Sequence, residues 1–203
     1  MSTQQRLFEW VYRRAGQVEA LPWHRDEPPA LLVRVVESRR SAGRALDLGC
    51  GEGVNAVYLA KKRYSVVGVD FVPAALALAR ARAQTTGVSL ELHESDILEL
   101  GSDAGFDLVL DSGCLHHLRS ATLAAYRARL DRWLSPGGDY VLVHFAKRHP
   151  LDWRPLGPRR TSRERITRFL SPLRLVAYEE TYYDLAFPVG RSLAGIYWLR
   201  APR

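Results

Sequence analysis

Between residues 44 and 145, short β-branched runs alternate with helical patterns, and this alternation restricts the fold more than any other feature of the chain. "RALDLG" (44–49), "SVVGVD" (65–70), "SLELH" (89–93), "FDLVLD" (106–111) and "YVLVHF" (140–145) read as strands, because each is a brief apolar or alternating run. "VNAVYLAKKR" (54–63), "PAALALARARAQTTG" (73–87) and "ATLAAYRARLDRWL" (121–134) lie between them with helical spacing. The second of these opens on proline and closes on glycine, as a helix does. Strands separated by helices need crossover connections, which build a parallel sheet covered on both faces. "SPGG" (135–138) reads as a turn. In the tail, Thr161 and Glu164 of "TSRERITRFL" form a capping-box pattern. "LRLVAYEETYY" (173–183) and "LAGIYWLR" (193–200) then follow with no helix between them, as antiparallel strands closing a sheet edge would.

The 203 residues are 47% hydrophobic and 25% charged, a balance that suits one globular domain. No apolar run reaches the roughly 18 residues needed to span a membrane. The opening "MSTQQRLFEWVYRRAG" lacks the apolar core of a secretory signal, so a cytoplasmic location is expected. Cys50 and Cys114 are too few for a disulfide framework and read as free thiols. The net charge of +7 is concentrated between Lys147 and Arg174, where nine basic residues face only Asp152 and Glu164. Such a block suits a phosphate-binding face, or a solvated surface in a chain where 26 of 29 basic residues are arginine. RNA-reading modules add stacking aromatics, and Trp153 alone offers one here, so nucleic acid is disfavoured as a partner.

Chemistry enters with "DLGCGEG", Asp47 to Gly53, placed directly after a strand and before a helix. Gly49, Gly51 and Gly53 allow a tight turn that brings a ligand against main-chain N–H groups. A dinucleotide fingerprint would need glycine at 54, where valine stands, and no Lys-Ser/Thr follows to make a phosphate-gripping loop. Asp70 ends the next strand, positioned for both hydroxyls of a ribose, and Asp96 follows the third strand, positioned for an adenine amine. Either acid alone could be a turn former. Three acids at successive strand ends beside a glycine loop point to a nucleoside pocket.

With these motifs the chain resembles the class I S-adenosylmethionine-dependent methyltransferases: "DLGCGEG", "VVGVDF", "SDI", "FDLVLDSG" and "LSPGGDYVLV" match that family's successive motifs. The resemblance implies a Rossmann-like, doubly wound seven-stranded α/β sheet with the last strand antiparallel. It also implies S-adenosyl-L-methionine as cofactor and S-adenosyl-L-homocysteine as product. By carry-over, Gly49 and Gly51 approach the methionine part, Asp70 holds the ribose, Phe71 packs on the adenine, and Asp96 with Ile97 reads its edge, with Asp47 also counted among the cofactor-binding residues. "LPWHRDEPPALLVRVVE" (21–37) is similar to the N-terminal segment of small-molecule methyltransferases of the thiopurine, tellurite and halide type. Trp23 then lies over the cofactor, or else Trp23 and Trp10 are core anchors for an N-terminal helix. The expected organisation is a single domain over 1–203, with a helical lid in 1–40, the cofactor core in 44–145, and an acceptor-side segment with a closing hairpin in 146–203.

"DSGCLHHL" (111–118) gathers an acid, a hydroxyl, a thiol and two imidazoles. No second Cys/His cluster completes a metal site, so no metal is expected. Methyl transfer from a sulfonium is an in-line displacement that needs proximity, orientation and a dry site. It needs no covalent role for Cys114, and it needs a base only where the acceptor must lose a proton. His116 is the candidate base, the alternative being that "LHHL" opens the next helix. Asp111 and Ser112 are expected against cofactor or acceptor, with Asp111 also a catalytic candidate. The expected acceptor is a small molecule (thiol, halide, phenol or heterocyclic amine), since the chain has little room for a target-recognition domain and no "NPPY"-like motif follows residue 111. Such a protein would act as monomer or homodimer. The alternatives are an RNA methyltransferase using the basic 147–174 face and a non-catalytic cofactor-binding protein.

Overall fold

The computed structural model describes residues 3–101, 105–149, 152, 159–184 and 190–203. Its helices are α1 (Thr3–Ala15), α2 (Ala30–Ser38), α3 (Val54–Lys61), α4 (Pro73–Thr86), α5 (Ser120–Trp133) and α6 (Arg163–Phe169). Its strands are β1 (Arg44–Leu48), β2 (Ser65–Asp70), β3 (Glu91–Glu94), β4 (Phe106–Asp111), β5 (Leu134–Phe145), β6 (Arg174–Asp184) and β7 (Arg191–Arg200). The seven strands form one sheet in the order β3-β2-β1-β4-β5-β7-β6, the doubly wound arrangement expected from the alternation. Contacts cluster into two compact units, Met1–Ser102 and Asp103–Arg203.

In the first unit β2 pairs in parallel with β1, from Arg44↔Ser65 to Leu48↔Val69, and with β3, ending at Asp70↔Glu94. Ala45, Leu46, Leu48, Val66, Val67 and Val69 are all buried, which is why these strands read as continuous apolar runs. α4 begins at Pro73 and stops where Gly87 turns left-handed at φ +68°, the geometry a β-carbon disfavours. Gly53 at φ +82° leads into α3, and a β-carbon there would lie 2.9 Å from the Ala79 Cβ and 3.0 Å from its Cα. The two helices approach closely because nothing projects from Gly53. Gly53→Ala is therefore expected to destabilise the fold by roughly 2–4 kcal/mol, combining backbone strain with overpacking. Gly87→Ala, with nothing within 4 Å, should cost only about 1 kcal/mol from the left-handed backbone. Denaturant unfolding of the two variants would check the ranking.

In the second unit β4 pairs in parallel with β5, with a register shift between Phe106 and Leu108. "SPGG" is not a separate turn. It lies inside β5 as a bulge, where a β-carbon on Gly138 would stand 2.8 Å from the Ser135 carbonyl and 3.0 Å from that of Phe106. β7 runs antiparallel to both β5 and β6, so it is the reversed strand, inserted between its two neighbours. The expected capping box is also displaced. The Thr161 N–H donates to the Phe145 carbonyl at 3.1 Å, and Thr161 bridges to Ala146. With Thr161 held there, Ser162 stands at the N-cap of α6 and Glu164 is one position too early to close the box.

Candidate active site

The glycine loop after β1 takes a left-handed backbone that glycine adopts without strain: Gly49 and Gly51 have φ of +63° and +55°. The loop is tied to the end of β2, because the Gly51 N–H donates to Asp70 Oδ2 at 2.9 Å while the Val72 N–H donates to Oδ1 at 2.9 Å. Burial pushes the Asp70 carboxyl upward against the opposing pull of these N–H donors. The Phe71 N–H pulls the same way, and the four lone pairs of the carboxylate leave acceptor capacity beyond these three donors. Phe71 follows directly and lies 5.8 Å from the Phe8 ring, which in turn lies 5.2 Å from Trp23. A carboxylate with spare acceptor capacity beside an aromatic cluster suits a ribose diol and a base, so the donor set fits an adenosyl group. Ile97 is buried, whereas Asp96 is exposed and accepts the Leu98 N–H at 2.8 Å. One Asp96 oxygen thus forms the turn that was the plain alternative for an acid at this position. Asp47 is buried at 1% exposure beneath the loop.

α1 supplies groups that sequence reasoning missed. The Tyr12 hydroxyl rests 3.2 Å from where a Gly51 side chain would begin, and its ring lies 5.6 Å from Trp23. Burial, then the charge of Asp70, push the Tyr12 phenol upward. The Gln5 side chain donates to the Phe71 carbonyl at 3.0 Å. Trp10, one of the two expected core anchors, is instead 53% exposed with the Arg14 guanidinium over its ring. Phe8 and Tyr12 pack inward in its place. The helical spacing of Leu7, Phe8, Val11 and Tyr12 was the available signal, but it does not say which face turns inward.

Asp111, expected against cofactor or acceptor, has its carboxylate occupied within the protein. Its side chain has 0% exposure, and it accepts the N–H groups of Gly113 (3.0 Å), Cys114 (2.7 Å) and Leu115 (3.1 Å) and the Tyr126 hydroxyl (2.5 Å). The Tyr126 and Tyr140 hydroxyls are 2.7 Å apart, which extends the network. Asp111 therefore fixes the loop after β4 from below. Ser112 is exposed on that loop. "LHHL" does not open the next helix: Leu115–His117 is a separate 3-10 turn before α5.

His116 is buried, and its Nδ1 has no hydrogen-bond partner among the described residues. Its ring lies 4.4 Å from His117, 5.7 Å from His144 and 4.8 Å from Phe145. Burial, then the neighbouring His117 and His144, hold His116 well below its ordinary titration range, and burial brings His117 and His144 each to about 4. Neutral imidazoles are thus the resident form. His144 was hidden from sequence reasoning inside the apolar run of β5. No group of three or more His, Cys, Asp or Glu among the described residues could hold a metal. Of the basic block, Arg148 is paired with Asp152, and Arg160 donates to Ser192. Arg163 lies over the Tyr178 ring. Trp153 and Arg154 fall outside the described residues.

Residues 45–138 match the model of a family described as a methyltransferase domain. A 2-heptyl-1-hydroxyquinolin-4(1H)-one methyltransferase from Mycobacteroides abscessus is 30% identical over 148 residues, which are 70% of this chain and 65% of that protein. The chain therefore spans just under two thirds of that relative's length. Among solved structures, the Burkholderia thailandensis 1,6-didemethyltoxoflavin-N1-methyltransferase, with 1,6-didemethyltoxoflavin and S-adenosylhomocysteine bound, superposes with a TM-score of 0.74 at 20% identity, covering 98% of this chain and 88% of that one. The [4+2]-cyclase SpnF superposes equally well, at a TM-score of 0.75 and 20% identity over 98% of this chain and 95% of its own. Likeness at this level is likeness of fold, and one fold hosts different chemistries.

Proposed function

From the premise that the chain belongs to the class I S-adenosylmethionine-dependent methyltransferases, we propose that it binds S-adenosylmethionine and methylates a small heteroaromatic molecule bearing an acidic O–H or N–H. The observation that carries this reading is Asp70, a strand-end carboxylate locked to the glycine loop beside an aromatic cluster. Gly49 and Gly51, backed by Asp47, receive the methionine part, and Asp70 accepts the ribose hydroxyls. Phe71 and Trp23 cover the adenine, whose edge meets Asp96 and Ile97. Tyr12 closes over the loop from α1. Bound there, the cofactor supplies a methyl group already activated on a sulfonium, so the protein's task is orientation and exclusion of water.

In the second unit, His116 is the proposed base and Ser112 a polar contact, while Asp111 holds their loop. A base serves only acceptors that must lose a proton in the reaction, which favours hydroxylated or N–H heterocycles over halides and over thiols that ionise unaided. The hydroxyquinolinone named for the Mycobacteroides abscessus relative is of that class. In a screen of hydroxylated and N–H heteroaromatics, thiols, halides and RNA, read by S-adenosylhomocysteine release, turnover is expected on the heteroaromatics. His116→Phe should lower kcat there by about a hundredfold with little change in cofactor affinity. Transfer to RNA alone, or to thiols and halides alone, would contradict the assignment.

A further inference from the structure

The N-terminal segment and the glycine loop are joined by a charged clamp that none of the roles above uses. His24 Nδ1 lies 2.6 Å from Glu52 Oε1, and His24 Nε2 lies 3.1 Å from Asp26 Oδ1. Glu52, in the glycine loop, is buried at 6% exposure, and its other oxygen accepts Arg82 of α4 at 2.8 Å. Arg82 Nε also donates to the Glu52 carbonyl at 3.1 Å. Glu52 is thus anchored from behind and presents one oxygen to the histidine. A neutral imidazole has a single N–H and would turn a lone pair toward one of the two carboxylates, whereas the imidazolium donates to both.

We propose that His24 is a positioning residue: as an imidazolium it fastens the segment carrying Trp23 to the glycine loop, and its loss of a proton loosens that segment and weakens cofactor binding. The consequence for binding rests on the cofactor reading above, whereas the clamp itself does not. Trp23 is the next residue in the chain, and its ring packs on Phe8 and Tyr12, whose hydroxyl rests on Gly51. Releasing His24 frees a polar tether between this aromatic cover and Glu52.

The charged and titratable groups facing the ring are Glu52 and Asp26, with Arg82 behind Glu52 and the Arg25 guanidinium on the His24 carbonyl. Tyr12 and Cys50 lie nearby, and burial followed by neighbouring carboxylates pushes both upward, away from neutrality. Burial of the His24 ring favours its neutral form, but the bonds and charges of Glu52 and then Asp26 outweigh this, so the ring titrates above its ordinary 6.5. A raised value in the folded protein means that the clamp is fully present below about pH 6.5 and is lost as pH rises through the folded value.

Hydrogen exchange of residues 21–29 in the ligand-free full chain, corrected for intrinsic rates, and calorimetric titration with S-adenosylhomocysteine would be run in parallel from pH 6.5 to 9. In the unaltered protein protection and affinity should fall together, affinity by about tenfold. His24→Gln should bind weakly with no pH dependence, and Asp26→Asn, altering a mostly exposed partner, should move the transition to lower pH. Protection that ignores pH, or a His24→Gln protein that keeps the pH profile, would overturn the clamp. Protection that follows pH without any S-adenosylhomocysteine binding would support the clamp and remove the cofactor reading.

Discussion

Asp70→Ala is expected to weaken S-adenosylhomocysteine binding by about a hundredfold, equivalent to about 2.7 kcal/mol, measured by calorimetry. Two losses combine. The substitution removes the proposed acceptor of the ribose hydroxyls, and hydrogen bonds to a charged group contribute roughly 1.5–3 kcal/mol. It also releases the Gly51 and Val72 N–H groups, each held at 2.9 Å, so the glycine loop loses its tie to β2. Asp70→Asn separates these effects: the amide oxygen can keep one N–H partner, but its NH2 group opposes the other. Its affinity should fall between the two. Unchanged affinity in Asp70→Ala would remove this residue from the cofactor site.

Asp111→Ala should instead appear as lost stability, by roughly 3–5 kcal/mol in denaturant unfolding. The change leaves the Gly113, Cys114 and Leu115 N–H groups and the Tyr126 hydroxyl without the carboxylate that serves them, in a place water does not reach. Tyr126→Phe removes one of these donors and should cost about 1–2 kcal/mol. A stable, cofactor-binding Asp111→Ala protein with no turnover would return Asp111 to the chemistry and refute its structural role.

What could be read from the sequence divides along physical lines. Strand and helix identities from β1 to β4 follow from local patterns, and β2 and β4 keep the very bounds those patterns imply. The left-handed turn at Gly49 and Gly51 and the strand-end place of Asp70 were legible because a strand-loop-helix order fixes where a glycine run and a strand-end acid stand. Partner choice across the fold was not legible. Glu52 meets His24 and Arg82 at separations of 28 and 30 residues, and nothing local marks any of them. Asp111 looked reactive because its neighbours in sequence are reactive types, yet its carboxylate turns toward backbone N–H groups and a tyrosine from α5. The bulge in β5 escaped because "SPGG" is turn chemistry, and here the turn residues stay within the ladder between Leu134 and Asp139.

The central claim is that the glycine loop and Asp70 form an adenosyl-cofactor site of the methyltransferase kind and not a dinucleotide site, as Val54 in place of a third fingerprint glycine implies. Calorimetric titration of the purified chain with S-adenosylhomocysteine and, separately, with NAD tests it most directly. One-to-one binding of S-adenosylhomocysteine at micromolar concentration with no heat from NAD is the predicted result. NAD binding more tightly, or S-adenosylhomocysteine failing to bind at millimolar concentration, would contradict it.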